Sequence, residues 1–203
     1  MPARSLDRSV PSPSTFFKKR GPQAAAMQNF FVLLGGQSMI TQLRIMENKQ
    51  TVIHFALCAP EELDESDRKL VELARQATHT AYAPYSHFCV GAALLLEGGT
   101  CVCGSNQENA AFGAGTCAER TALFYAHAQY PDAAVKAIAI AARGTDGEFT
   151  QQPIAPCGVC RQALLEAQKR GQSPIRLLLA GRTTIVMMSG VECVLPFAFE
   201  EIV

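Results

Sequence analysis

The chain has 203 residues, 48% of them apolar, with 18 Lys+Arg balanced by 18 Asp+Glu. That length accommodates one domain with an extension, and zero formal charge argues against a strongly basic surface for nucleic acid. No apolar run reaches the roughly 20 residues of a membrane-spanning helix.

Residues 1–46 differ in composition from the remainder of the chain. They are rich in Ser and Pro near the start, carry Arg4, Arg8, Lys18, Lys19 and Arg20 against the single acid Asp7 of that stretch, and contain the apolar patch Phe30-Phe31-Val32-Leu33-Leu34. The composition reads as a disordered N-terminal extension, or as sequence upstream of a start at Met27, Met39 or Met46, with a targeting segment as the alternative. The ordered domain is expected over residues 47–203. Thr51-Val52-Ile53-His54-Phe55-Ala56 alternates weakly and is a candidate edge strand.

Ser66 is the expected cap of a first helix, with Leu70, Leu73, Ala74, Ala77 and Ala81 at helical spacing and Pro84 as its stop. Residues 88–97 read as a strand, Gly98-Gly99 as a two-residue hairpin turn and 100–103 as the returning strand. Residues 104–115 read as a loop. Thr116 is the expected cap of a second helix over 117–129. Residues 135–142 read as a buried strand, 157–169 as a third helix closed by Gly171, and 175–180 and 183–188 as the last strands. Only Gly181 and Arg182 separate that final pair in this reading, too short for a parallel crossover, so the pair is antiparallel and the sheet mixed. The expectation is an α/β fold with a mixed five-stranded sheet layered with helices.

Two stretches carry chemistry: Thr116-Cys117-Ala118-Glu119-Arg120 and Pro156-Cys157-Gly158-Val159-Cys160-Arg161. Cys157 and Cys160 stand at i and i+3, one face of a helix. Three thiolates plus one open position suit a catalytic rather than a structural zinc site. A carboxylate two residues after a first ligand, followed downstream by Pro-Cys-x-x-Cys, is the zinc-deaminase pattern in its three-cysteine form. Taken alone, Thr116-x-x-Glu119 is equally a helix capping box, and Cys157-x-x-Cys160 alone equally a redox pair or half of a structural site. The eight cysteines read better as metal ligands and free thiols than as a disulfide framework. That points to a reducing compartment, the cytoplasm.

These stretches, with Phe88-Cys89-Val90-Gly91-Ala92-Ala93, Asn106-Gln107-Glu108-Asn109-Ala110 and the continuation to Gln162, resemble the cytidine deaminases, most closely the small, three-cysteine, homotetrameric type. The resemblance covers roughly residues 60–200. It implies a three-layer αβα fold, one Zn²⁺ held by Cys117, Cys157 and Cys160, and Glu119 as the catalytic proton carrier between water, the pyrimidine N3 and the leaving amine. It further implies Asn106 and Glu108 on the ribose hydroxyls, Phe88 against the base, and Phe199 as a C-terminal aromatic closing the pocket. Arg120 matches the arginine that withdraws charge from the thiolates. The implied activity is hydrolytic deamination of cytidine and deoxycytidine in pyrimidine salvage, by a homotetramer with composite sites, with a small-molecule nucleoside as partner and neither nucleic acid nor membrane. Cys89 and the loop Ala111-Phe112-Gly113-Ala114-Gly115 depart from the family pattern. The competing readings are a deaminase of another small molecule or of polynucleotides, and an inactive deaminase-like domain held together by zinc.

Overall fold

The computed structural model describes residues 48–199. The reading of 1–46 as an extension, its apolar patch included, lies outside the described residues.

The first helix, α1, spans Glu65–Ala77 and buries Leu70, Val71, Ala74 and Ala77. Its cap is Asp64, whose Oδ1 accepts from the Asp67 N–H at 2.7 Å. Ser66, the expected cap, lies inside the first turn, because the chain is already extended at Asp64. The helix also stops well before Pro84: Thr78–Thr80 tightens into a 3-10 turn, and the Thr78 hydroxyl donates back to the Arg75 carbonyl at 2.7 Å. Asp67 is buried and pairs with Arg176 on a distant strand.

Strands β1 (Ala56–Cys58), β2 (Cys89–Leu96), β3 (Cys101–Ser105), β4 (Val135–Arg143), β5 (Arg176–Ala180) and β6 (Ile185–Ser189) form one sheet in the order β1-β6-β5-β4-β2-β3. The sheet has six strands rather than five, because the candidate edge strand forms, displaced to Ala56–Cys58 and antiparallel to β6. The sheet is mixed as expected: β5 and β6 are antiparallel, and β4 and β5 are the parallel pair. The β5–β6 loop is longer than two residues, closed by the Gly181 N–H on the Thr184 carbonyl at 2.9 Å. Likewise the β2–β3 turn closes from Leu96 to Thr100, with Gly98 and Gly99 both at positive φ.

Helix α2 spans Ala118–Gln129 and helix α3 spans Gly158–Gly171. Gly171 is thus the last residue of α3 and Gln172 takes the left-handed capping conformation (φ 48°). Alternation along β4 sorts the two faces. Ile138 and Ile140 join Leu94, Leu123, Leu164, Leu177 and Leu179 beneath α2 and α3. Ala137, Ala139 and Ala141 meet Leu70, Val71 and Ala74 of α1. Helices on both sides of one sheet make the expected three layers. Among the described residues no helix is long and apolar enough to cross a membrane.

Two glycines set how closely the helices approach. A Cβ on Gly91 of β2 would stand 2.1 Å from the Ala74 carbonyl oxygen of α1. A Cβ on Gly104 of β3 would stand 2.5 Å from the Ala122 nitrogen and 2.8 Å from the Ala118 oxygen of α2. Both obstacles are helix backbone, which cannot rotate away. Gly104→Ala is therefore expected to destabilise the protein by about 1–3 kcal/mol or more, and to tilt the first turn of α2. Chemical denaturation and metal content measure the two effects, and a variant matching the parent in both would show that α2 tolerates displacement.

Candidate metal centre and substrate pocket

Both cysteine segments open helices. Cys117 is the N-cap of α2, and Cys157 the N-cap of α3, where its Sγ accepts from the Cys160 N–H at 3.5 Å. Two helix N-termini thus direct partial positive charge at one point, which favours thiolates. The Sγ atoms of Cys117, Cys157 and Cys160 lie within 4.8 Å of one another, and those of Cys117 and Cys157 are 3.7 Å apart. A tetrahedron with Zn–S bonds of about 2.3 Å has an edge of about 3.8 Å, so the donor set fits a zinc ion through three sulfurs with one position open. All eight cysteines are free, the three of the cluster included.

Protonation separates the three thiols. Burial pushes Cys160 far above the ordinary thiol value, helped by the Glu119 charge. Burial also raises Cys117, against the opposing Arg120 hydrogen bond. Cys157 is desolvated too, but donation from the Cys160 N–H and from the Cys160 and Cys117 thiols holds it below that value. Metal binding has to displace these protons, so affinity falls as pH falls.

Glu119 is 5% exposed and bonded by the Cys160 thiol, which places its carboxylate at the cluster. Burial raises its pKa. The capping-box alternative does not hold: the cap is Cys117, and Thr116 makes no side-chain bond to the α2 amides. Arg120 Nη2 reaches the Cys117 Sγ at 3.9 Å. Its Nε is buried with no hydrogen-bond partner. Three thiolates on a divalent ion leave one excess negative charge, and a guanidinium on one sulfur offsets part of it. Arg161 has a different task. Its Nε donates to the Pro156 carbonyl and its Nη1 to the Val194 carbonyl, each at 2.8 Å, tying α3 to the C-terminal segment.

The nucleoside-recognition candidates form a second group beside the first. Gln107 exchanges two 2.9 Å backbone bonds with Thr116, the residue before Cys117. Tyr82 bonds Asn106 and Glu108 on the other side, at 3.0 and 2.8 Å. Extended backbone puts Asn106 and Glu108 on one side and Gln107 on the other, and Gln107 accordingly turns to Ser105 and the Thr80 carbonyl.

Each candidate already has partners. Asn106 Oδ1 accepts from the Val90 N–H at 2.8 Å, and its Nδ2 donates to the Phe88 carbonyl at 2.9 Å, continuing the ladder of β2. Glu108 Oε2 accepts from the Tyr85 and Ser86 N–H groups at 2.9 and 3.2 Å, and Oε1 from the Ser86 hydroxyl. The Ser86 hydroxyl and the Tyr85 amide hold the Glu108 pKa below the usual carboxylate value. Phe88 is half-buried at the mouth of β2. Phe199 is exposed, its carbonyl held by Gln162 Nε2 at 2.9 Å, and Phe112 is 87% exposed.

Ser86 belongs to none of the motifs named above, and the Gln107–Thr116 bridge joins two of them. Ser86-x-Phe88 does carry a local signal, since a serine hydroxyl often accepts from the amide two residues on.

Residues 64–172 match the family model described as the cytidine and deoxycytidylate deaminase zinc-binding region. Over 97 residues the chain is 47% identical to the cytidine deaminase of Halalkalibacterium halodurans, covering 48% of this chain and 68% of that one. It is 45% identical over 98 residues to that of Sporosarcina psychrophila, covering 48% and 67%. Among solved structures it superposes on the cytidine deaminase of Burkholderia pseudomallei with a TM-score of 0.54 and 39% identity, over 64% of this chain and 97% of that one. The Mycobacterium tuberculosis enzyme follows at 0.52 and 33%, over 68% and 100%. A family match over more than half of the chain falls on the segment that brings Cys117, Cys157, Cys160 and Glu119 together, and the chain belongs to the cytidine and deoxycytidylate deaminase family.

Proposed function

We propose that the chain catalyses zinc-dependent hydrolytic deamination of cytidine and deoxycytidine, yielding uridine or deoxyuridine and ammonia, as a step of pyrimidine salvage. The observation that carries this reading is the buried Glu119 carboxylate against Cys160, inside a three-thiol cluster flanked by the Asn106–Glu108 segment. Cys117, Cys157 and Cys160 would hold zinc, which when bound would supply a Lewis acid for activating a water near neutral pH. Glu119 moves the protons: it accepts one from the attacking water, delivers it to N3 of the base, and assists departure of the C4 amine. Burial suits this work, because it brings a carboxyl towards the operating pH. Asn106 and Glu108 bind the sugar, and the Phe88 ring packs on the base. Exposed Phe112, Phe124 and Tyr125 support assembly into a homotetramer with composite pockets. Free thiols throughout support a reducing, cytoplasmic location.

A site that bonds a hydroxyl leaves polar groups unpaired when that hydroxyl is missing, a discrimination of about 10⁴-fold. Cytidine and deoxycytidine are expected to be turned over, with free cytosine poorer by about that factor. A chain continuing from the 3′ oxygen would collide with the Asn106–Glu108 segment, so a cytosine-containing oligonucleotide should fail. Ammonia release from the four compounds under identical conditions is the test. Comparable rates on free cytosine, or efficient deamination of the oligonucleotide, would move the enzyme out of the nucleoside class.

A further inference from the structure

The Ser86 hydroxyl joins two groups to which the nucleoside reading gives different tasks. It donates to Glu108 Oε1 and accepts from the Phe88 N–H at 3.1 Å. A hydroxyl has one donor and two acceptor sites. The donor is committed to a carboxylate, a charge-assisted bond and the stronger kind. That bond polarises the oxygen and makes it a better acceptor for the Phe88 amide. Between them stands His87 at φ 55°, a left-handed conformation uncommon for a residue with a Cβ, with its amide bonded to the Ala83 carbonyl at 3.1 Å. A turn of that kind persists only where its surroundings over-determine it. Here the surroundings are Glu108, which takes the Tyr85 and Ser86 amides, and Asn106, which takes Phe88 and Val90 from the far side.

We propose that Ser86 is a positioning residue for the deamination, fixing the Glu108 carboxylate and the Phe88 backbone in one register so that sugar and base are held together. The inference rests on the nucleoside reading above. It also bounds what Glu108 can do. A carboxylate has about four acceptor sites, and three are occupied by Tyr85 and Ser86. One remains, enough for a single sugar hydroxyl.

The test is a double-mutant cycle in the full chain. Losing a hydrogen bond to a charged group lowers kcat/KM about 10–100-fold, so Ser86→Ala should fall in that range on cytidine, with zinc content unchanged and thermal stability near the parent's, as for an exposed position. Ser86→Thr, which keeps the hydroxyl, should recover most of the loss. In the Glu108→Ala background the same Ser86→Ala change should cost little, because residues acting through one another are not additive. Ser86→Ala at parental kcat/KM, or a loss undiminished when Glu108 is already absent, would overturn the proposal. A parent protein inactive on cytidine would instead overturn the nucleoside reading itself, so the two failures are distinguishable.

Discussion

Glu119→Gln is expected to lower cytidine turnover by about 10²–10⁴-fold or more, with zinc content and fold retained. Loss of one positioned proton transfer accounts for a factor in that range, and Glu119 is assigned more than one transfer. The amide keeps the size of the carboxylate, and the side chain is packed at 5% exposure, so shape alone does not distinguish the two. Stability should change little, because the cap of α2 is Cys117 and not a box closed by Glu119. A variant with near-parental turnover would refute the proton-carrying role. Single-turnover measurements with cytidine, alongside zinc analysis, separate a chemical defect from a metal defect.

Removal of any one sulfur is the second large effect. Cys160 is fully buried, with its thiol driven upward by burial and by Glu119. Cys160→Ala removes one of three protein ligands and leaves a cavity at the first turn of α3. Zinc content should drop from about one per chain to a small fraction, with activity lost in parallel. A metal on these sulfurs would join the starts of α2 and α3, so thermal stability should fall as well. The same loss is expected on acidification of the intact protein. Protons compete with zinc for the thiols, so occupancy is expected to decline as pH falls. Full occupancy after removal of Cys117, Cys157 or Cys160 would remove that cysteine from the ligand set.

Each half of the three-thiol cluster was legible in the sequence because it is local, whereas the two halves, 40 residues apart, meet only in the fold. Cys157 and Cys160 are joined by one helical turn, and Glu119 follows Cys117 by two residues, so short spacings carry most of the geometry. The layering was legible too, since strand and helix periods alternate along the chain. What was not legible depends on contacts between distant segments. Gly104 reads as the start of a loop, yet it belongs to β3 because only a glycine fits beneath the backbone of α2. Asp67 reads as a first-turn acid and is instead buried against Arg176, 109 residues away in the chain. The cap of α1 is Asp64 rather than Ser66 because two nearby residues with capping side chains leave the choice to the path of the incoming chain. The edge strand forms later in the chain than its weak alternation suggests, where Cys58 meets Ile185. The bonds of Asn106 to β2 and of Glu108 to the 85–86 turn were not legible, because they join segments 16 to 23 residues apart.

The three sulfurs and Glu119 are expected to act as one hydrolytic centre on a cytosine nucleoside. The most direct measurement is ammonia and uridine formation from cytidine by the zinc-loaded protein, repeated after chelation and after return of zinc. One ammonia per uridine is expected, abolished by the chelator and restored by the metal. Folded protein with about one zinc per chain and no ammonia from cytidine or deoxycytidine would show that this cluster does not deaminate cytosine nucleosides.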